Sequence, residues 1–319
     1  MKKKLFHKAK NGDLMEKEEI IIKISKLKQN SIILAHNYQN PEIQDISDYN
    51  GDSLQLARIA AELKTYRIIF CGVHFMAESA KILSPEKEVL IPRYDAGCQL
   101  ADMITLEELK DFKKDYPDAA VVTYVNSSAE IKAESDICCT SSNAVQVVNS
   151  LKNKRILFIP DKNLGNYVKS KITDKEIIPW KGYCPTHQKI TLADILAARR
   201  KYPDAKVMVH PECTMEVINE ADFVLSTGGM LKLAKGSEHK EFIIGTEKGM
   251  TYRLSKDNPG KLFHDLSPKP VCREMKKIKL VDVLNAFEKN QYRIEVDEEI
   301  SRKAKKALDA MLDIKQDKN

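Results

Sequence analysis

The chain has 319 residues, 43% of them hydrophobic, which is enough for two or three globular domains with buried cores. Its 52 basic and 46 acidic residues give a net charge of +6, and the lysines are scattered rather than gathered in one block. This balance indicates some attraction for small anions and gives little support for a nucleic-acid partner.

Targeting signals are missing from the sequence. The N-terminal stretch MKKKLFHKAKNGDLMEKEEI is basic but lacks the apolar segment of a signal peptide, and no apolar run reaches the roughly 18 residues of a membrane helix. We therefore expect a cytoplasmic protein with no membrane partner. Its cysteines form an odd set in such a reducing compartment, which favours core thiols and metal or catalytic ligands over disulfides. They are Cys71, Cys98, Cys138, Cys139, Cys184, Cys213 and Cys272.

The first predicted elements are an amphipathic helix in KEEIIIKISKLKQ and a β-branched strand in IILAHNY. Similar strands return at VVTYVN and VMVHPE, and each of the three ends in two polar residues that point the same way. These pairs are His36 and Tyr38, Tyr124 and Asn126, and His210 and Glu212. Their first members are separated by 124 − 36 = 88 and 210 − 124 = 86 residues.

Two further landmarks keep the same period. A hydroxyl residue opens an amphipathic stretch 17 residues after each first polar residue, at Ser53, Ser141 and Thr227. A second apolar run follows each time, in RIIFCGV, RILFIPD and EFIIGTE, and leads to a loop with a cysteine. These loop cysteines are Cys98, Cys184 and Cys272, at intervals of 86 and 88 residues.

A period of this length predicts three similar α/β domains, because solenoid repeats run only about 20 to 50 residues. Boundaries near the loop cysteines give a first domain at 1–98, a second at 99–184 and a third at 185–280. We expect three-layer αβα domains related by pseudo-threefold symmetry. The tail at 281–319 contains a helical pattern in ISRKAKKALDAMLDI, and we expect it to pack back on the first domain and complete it.

One loop cysteine in each domain is explained if the three loops meet at a common axis. Cys98, Cys184 and Cys272 then suit a zinc ion or a [4Fe-4S] cluster whose fourth iron stays open. An open iron can act as a Lewis acid on a hydroxyl or carboxylate, as a dehydration requires.

Other uses of the cysteines stay open at this point. Cys71, Cys138 and Cys139 fit core positions, because cysteine is among the most buried residue types. CPTH and HPEC offer two cysteines and two histidines at zinc-like spacing, so an alternative is a zinc site. Its ligands would be Cys184, His187, His210 and Cys213.

The three hydroxyl residues stand where helices begin. Taken singly, Ser53, Ser141 or Thr227 is interpreted as a simple N-cap. Three helix N-termini directed at one axis would instead form three anion sites, suited to carboxylate or phosphate. The polar residues at the strand ends would supply acids, bases and hydrogen-bonding groups where α/β folds place their ligands.

Several long stretches carry a resemblance to a known family: AHNYQNPEIQDISDYNGDSLQLA, DAGCQLADM, TYVNSSAEIKAESDICCTSSNA, PDKNLGNYV, WKGYCPTHQ, HPECTMEVINEADFVLSTGGM, GTEKGM and CREMKKI. In these stretches the chain resembles the quinolinate synthase family of bacterial NAD biosynthesis, over nearly its whole length. The resemblance implies one [4Fe-4S] cluster per chain, held by Cys98, Cys184 and Cys272. It also implies that iminoaspartate and dihydroxyacetone phosphate condense to quinolinate with loss of phosphate and two waters.

The resemblance further implies roles for individual residues. The family's substrate-binding positions fall on His36, Ser53, Tyr124, Asn126, Ser141, His210, Glu212 and Thr227, the set that the period had selected. We hypothesise that Tyr124, His210 and Glu212 move protons, and that Tyr38 and His36 assist phosphate loss or ring closure. A functional coupling to the enzyme that oxidises L-aspartate is expected, because iminoaspartate is unstable.

Two other functions compete with this one. The first is another three-domain, three-cysteine iron-sulfur enzyme of the reductive dehydroxylase type, which would need an external reductant. The second is a zinc-stabilised repeat protein that binds an anionic metabolite or partner. A brown protein that absorbs broadly near 400 nm after anaerobic purification would exclude a zinc-only protein.

Overall fold

The structure, a computed structural model, describes residues 16–314. Within that range it forms three four-stranded sheets whose strands are all parallel, with helices in the connections. Residues 1–15 of the predicted first domain and 315–319 of the predicted tail lie outside the described residues. The predicted α/β fold class is confirmed.

The elements follow one order three times. The first unit contains α1 Lys17–Leu27, β1 Ser31–His36, α2 Pro41–Ile46, β2 Tyr49–Gly51, α3 Ser53–Glu62, β3 Arg67–Cys71, α4 His74–Leu83 and β4 Glu88–Leu90. The second contains α5 Leu106–Asp115, β5 Ala120–Tyr124, α6 Ala129–Ala133, β6 Ile137–Cys139, α7 Ala144–Ser150, β7 Arg155–Ile159, α8 Lys162–Lys171 and β8 Glu176–Pro179. The third contains α9 Leu192–Lys201, β9 Lys206–Val209, α10 Met215–Asn219, β10 Phe223–Val224, α11 Thr227–Gly236, β11 Glu241–Gly245, α12 Gly249–Asp257 and β12 Leu262–Asp265.

Strand order is the same in each unit. The sheets run β2-β1-β3-β4, β6-β5-β7-β8 and β10-β9-β11-β12. The two inner strands of each sheet are continuous apolar runs, as expected for parallel strands covered on both faces. The carboxyl ends of β1, β5 and β9 are therefore equivalent places, and the predicted polar pairs lie there.

An aspartate marks the equivalence of the units most directly. Asp48, Asp136 and Asp222 each accept a hydrogen bond at Oδ2 from the backbone N–H of a residue in the adjacent strand, over 2.8, 2.7 and 2.8 Å. Each also donates its own backbone N–H to the carbonyl of that same residue. The intervals are 136 − 48 = 88 and 222 − 136 = 86, which is the period of the polar strand ends.

One large hydrophobic core joins the three units. It contains Phe70 of β3, Phe158 of β7 and Phe242 of β11, all fully buried. Smaller apolar clusters lie on the far side of each sheet. The three units are therefore packed on one another. The domain boundaries that the sequence predicts near Cys98 and Cys184 stay predictions.

The C-terminal part of the described chain forms α13 Leu280–Lys289 and α14 Glu298–Asp313. Helix α13 packs with α1 on the first sheet. Helix α14 contacts α4 of the first unit and also α6 and β6 of the second. The tail therefore packs on two units, and not on the first alone. Its last turn is held by Arg58, whose Nη2 donates to the carbonyl of Leu312 over 3.1 Å.

Candidate active site

The carboxyl ends of the inner strands surround a cavity of about 500 Å³. Every residue that the sequence selected for the site lines it: His36, Tyr38, Ser53, Cys98, Tyr124, Asn126, Ser141, Cys184, His210, Glu212, Thr227 and Cys272. These residues come from all three units, so the repeat has brought equivalent positions to one place. Their roles as ligands and catalytic groups stay predictions.

The three loop cysteines reach this cavity from three different loops. Each is half-buried and none is in a disulfide. Burial raises the pKa of Cys98 to about 12, and the nearby Cys272 adds to the rise. Burial likewise raises the pKa of Cys184, with contributions from Glu212 and Cys98. The three thiols are close enough to affect one another, and all three are protonated at neutral pH unless a cation binds them.

The remaining cysteines behave as core residues. Cys71, Cys138, Cys139 and Cys213 are fully buried. The thiol of Cys213 faces the carbonyl of Gly245 at 3.6 Å. Among residues 16–314, Cys184, His187 and Glu212 form the one group of three or more potential ligands whose donor atoms all lie within 4.8 Å of one another. Cys213 does not join this group, so the structure does not assemble the four-residue zinc site.

His36 and His210 occupy equivalent positions and make equivalent contacts. The Nδ1 atom of His36 accepts the backbone N–H of Tyr38 at 3.1 Å, and that of His210 accepts the backbone N–H of Glu212 at 3.3 Å. Burial lowers the pKa of His36 to about 3, and His210 contributes to the shift. His36 is therefore neutral, and its proton is on Nε2, because Nδ1 is an acceptor.

Glu212 lies buried between two histidines. Its Oε2 atom is 2.9 Å from Nδ1 of His187 and 3.3 Å from Nδ1 of His210, whose rings stack with centroids 4.7 Å apart. Burial alone would raise the pKa of Glu212, but the two histidines lower it well below its usual range. Glu212 is therefore a carboxylate held among proton carriers.

The hydroxyl of Tyr38 extends this group of proton carriers. It lies 2.5 Å from Oγ1 of Thr246 and 3.4 Å from Nε2 of His187, which itself lies 2.8 Å from the same threonine oxygen. Burial raises the pKa of Tyr38, and Glu212 raises it further, so the phenol keeps its proton at neutral pH. A hydrogen-bonded path thus joins Tyr38 to Glu212 through His187.

The hydroxyl residues at the helix starts are not N-caps. The side chain of Asp52 caps α3 by accepting the backbone N–H of Gln55, and Ser226 caps α11 by accepting that of Gly229. Ser53 and Thr227 are the first helical residues instead, which corrects the interpretation of these residues as N-caps. Ser141 lies in the turn before α7, which begins at Ala144 with Asn143 as its N-cap, so the prediction that Ser141 opens a helix is wrong. The hydroxyls of Ser53 and Thr227 are therefore not occupied in capping and line the cavity.

The sequence is similar over most of its length to known proteins. The sequence profile of a family described as Quinolinate synthetase A protein matches residues 20–313. The chain belongs to this family. It is 54% identical over 289 residues to a protein of Clostridium kluyveri named Quinolinate synthase, covering 91% of this chain and 95% of the relative. A protein of the same name from Alkaliphilus metalliredigens is 50% identical over 303 residues, covering 94% of this chain and all of the relative.

A third relative named Quinolinate synthase, from Methanosarcina barkeri, is 51% identical over 303 residues, covering 94% of this chain and 99% of the relative. The chain therefore spans nearly the full length of these family members. No helix within residues 16–314 is both long and apolar enough to cross a membrane.

Sequence reasoning missed several residues of this family member's site. Thr246 touches both Tyr38 and His187, and Asn37 donates from Nδ2 to Oγ1 of Thr227 over 3.0 Å. Lys189 and Arg273 bring positive charge to the cavity wall. The motifs AHNYQN and GTEKGM contained Asn37 and Thr246, but nothing in their spacing indicated which neighbours they would touch.

Two buried acceptors in the cavity wall also have no partner in the described part of the chain. These are Oδ1 of Asn126 and Oε1 of Glu212. Leaving a buried acceptor unpaired costs about 1–3 kcal/mol, so such atoms are normally satisfied by a ligand or ordered water. The site is therefore suited to a ligand that carries hydrogen-bond donors as well as negative charge.

Proposed function

We propose that the protein is a quinolinate synthase that condenses iminoaspartate with dihydroxyacetone phosphate. The observation that carries the proposal is the convergence of three loop cysteines and the nine other selected residues on one cavity, in a chain of this family. The products are quinolinate, phosphate and two waters. One carbon–carbon and one carbon–nitrogen bond form while phosphate and water leave, so the balanced reaction needs no external reductant.

The cofactor in this proposal is one [4Fe-4S] cluster per chain, held by Cys98, Cys184 and Cys272. The donor set supports it, because three thiols on three separate loops suit three corners of a cubane cluster. When bound, such a cluster supplies Lewis-acid chemistry at its fourth iron, which has no cysteine ligand. Cys213 and the other buried cysteines lie outside the cavity wall and take no part.

The substrates are anions, and the cavity wall offers suitable partners for them. Ser53, Ser141 and Thr227 present hydroxyl donors, and the first turns of α3 and α11 add the positive ends of helix dipoles. Lys189 and Arg273 supply full positive charges. Carboxylates and phosphate would bind these groups, while Asn126 and Glu212 accept from donors of the substrates.

Proton transfer is assigned to the hydrogen-bonded residues beside the cysteines. Neutral His36 can donate from Nε2 toward the cavity, because its Nδ1 is occupied as an acceptor. Tyr38 can pass a proton to or from His187, whose other ring nitrogen faces the Glu212 carboxylate. Tyr124 and His210 line the same wall, and burial raises the pKa of Tyr124, which keeps its phenol protonated. Groups placed in this way serve as general acids and bases in dehydrations.

An assay on anaerobically reconstituted protein tests the proposal. Wild-type protein should form quinolinate from iminoaspartate and dihydroxyacetone phosphate with no reductant added. Cys184→Ala should lose both the cluster absorption and the product, whereas the matched change Cys213→Ala should keep both. Full cluster content and full production in Cys184→Ala would refute the assignment, and a requirement for a reductant would favour the reductive dehydroxylase.

Supply of the first substrate places the reaction after an oxidation. Iminoaspartate is an unstable imine, and oxidation of L-aspartate yields it directly, so the proposal includes a functional coupling to an L-aspartate-oxidising enzyme. A cytoplasmic location is also part of the proposal. A coupled assay with the L-aspartate-oxidising enzyme tests that coupling. Less iminoaspartate should be lost to hydrolysis when this protein is present than when it is absent.

A further inference from the structure

Two fully buried carboxylates hold the loops of Cys184 and Cys272. Asp161 follows the end of β7 by two residues, and Glu247 follows the end of β11 by two residues. Oδ2 of Asp161 accepts the backbone N–H of Cys184 over 3.2 Å. Oε1 of Glu247 accepts the backbone N–H of Cys272, also over 3.2 Å. The same contact is therefore made at equivalent places in two units.

The second oxygen of each carboxylate fixes the carboxylate itself. Oδ1 of Asp161 accepts the backbone N–H of Leu164 over 2.9 Å, which caps α8. Oε2 of Glu247 accepts the backbone N–H of Gly249 over 2.6 Å and the Nζ of Lys276 over 3.1 Å. Each carboxylate thus ties a strand end, the next helix and a cysteine loop together.

The first unit is built differently. Val73 stands two residues after the end of β3, where the other units have an acid. The loop of Cys98 is held instead by Glu274, whose Oε2 accepts the backbone N–H of Gly97 over 3.1 Å. Because Glu274 lies in the loop of Cys272, the third unit supplies the anchor for the first.

We propose that Asp161 and Glu247 are positioning residues that set the direction of Cys184 and Cys272 toward the cluster. The inference rests on the cluster of the proposed function. Burying a carboxylate is costly unless hydrogen bonds satisfy it, and here both oxygens of each side chain are bonded. Each carboxylate fixes the backbone N–H of the cysteine itself, so the direction of that cysteine's side chain is set before iron arrives. Partners that orient metal ligands in this way typically contribute about 10–100-fold to metal affinity.

The variants Asp161→Asn and Glu247→Gln test the inference, because they keep the size of the side chain and remove one acceptor oxygen. Asp136→Asn is the matched control: its carboxylate also accepts a backbone N–H of the second unit, but that of Val121 in a strand, and not that of one of the three loop cysteines. The measurements are iron and sulfide per chain after anaerobic reconstitution, the rate of iron loss to a chelator, and thermal unfolding of cluster-free protein.

Asp161→Asn and Glu247→Gln should bind iron about 10-fold more weakly or worse, with faster loss to the chelator and a fold retained without iron. Asp136→Asn should hold iron like the wild type. Wild-type iron content and loss rates in both test variants would overturn the inference while leaving the proposed function intact. Failure of the cluster-free variants to fold would also overturn it, because the carboxylates would then serve the whole fold. A wild-type chain that takes up no iron refutes the proposed cofactor, and this inference with it.

Discussion

The hydroxyl of Tyr38, two residues beyond β1, lies 2.5 Å from Oγ1 of Thr246 at the end of β11, although the two residues are 208 positions apart in the sequence. Thr246 also contacts Nε2 of His187, so it sets the distance between the phenol and the imidazole. We expect Tyr38→Phe to lower kcat for quinolinate formation about 100-fold or more, as loss of a general acid or base does. Thr246→Val should lower kcat by a smaller factor than Tyr38→Phe does. Thr246→Ser keeps the hydroxyl and should have the kcat of the wild type.

Anaerobic steady-state assays check this expectation, with Tyr116→Phe as a control. Tyr116 packs on Phe112 and does not line the cavity, so its change should leave kcat unaltered. An unchanged kcat in Tyr38→Phe would remove the phenol from the proton path.

Buried His36 predicts a pH dependence of stability. Its pKa is about 3 in the folded chain against 6.5 in the unfolded chain, so between these values the unfolded chain binds the additional proton. Stability therefore falls as the pH drops below about 6.5, by up to roughly 1.4 kcal/mol per pH unit for this group. In cluster-free protein, His36→Gln should flatten the dependence of the urea-unfolding free energy between pH 6 and pH 4.

Exposed His239 provides the control for that measurement. His239→Gln is the same change at a position outside the cavity wall, so it measures the effect of the substitution itself on the slope. An equal slope in His36→Gln and wild type would mean that the His36 ring is charged in the folded protein.

Gly97, which precedes Cys98, and Gly182, which lies two residues before Cys184, differ in the room that each leaves for a side chain. A Cβ on Gly182 would lie 2.6 Å from the carbonyl oxygen of Pro160, which is backbone and cannot move away, whereas a Cβ on Gly97 would meet nothing within 4 Å. Gly182→Ala should displace the Cys184 loop, destabilise the protein by about 1–3 kcal/mol and lower its iron content. Gly97→Ala should have none of these effects, and iron analysis together with thermal unfolding compares the two variants. Equal behaviour of the two variants would contradict the steric explanation.

The three repeated aspartates predict three similar losses of stability. Each accepts a backbone N–H of a central strand, so Asp48→Ala, Asp136→Ala and Asp222→Ala should each lower the free energy of unfolding by about 1–2 kcal/mol. Urea unfolding of the single variants measures this. Losses confined to one unit would show that the equivalence of the three contacts does not extend to their energies.

Much of the fold and site followed from the period of 88 and 86 residues, because equivalent strand ends, helix starts and cysteine loops recur at fixed offsets. The partners of these residues did not follow. Asp52 and Ser226 stand one residue before the predicted hydroxyls and cap the helices, a choice decided by backbone angles. The acids Asp161 and Glu247, in PDK and TEK, are also 86 residues apart, so the period marks these two residues as equivalent.

The packing of the tail followed only in part from the sequence, which predicted contact with the first unit alone. The pattern in ISRKAKKALDAMLDI identifies an apolar stripe, and the buried Ala304, Ala307, Leu308 and Met311 confirm it. A stripe indicates that a helix is covered, but it does not say by what. The described chain covers it with α4 and with α6 and β6, two surfaces that only exist as neighbours after the first and second units have docked.

That position of α14 has a consequence for biosynthesis of the protein. The helix is translated after all three sheets, yet it seals the junction between the first two. On the ribosome, a nascent chain can already present Cys98 and Cys184 while this junction is still exposed, since domains form in order as they emerge. The proposed cluster would then meet a loop of Cys98 whose anchor Glu274 comes from the third unit, and a junction that α14 does not yet cover. We therefore expect the cluster to be loaded into the released chain, after α14 has docked.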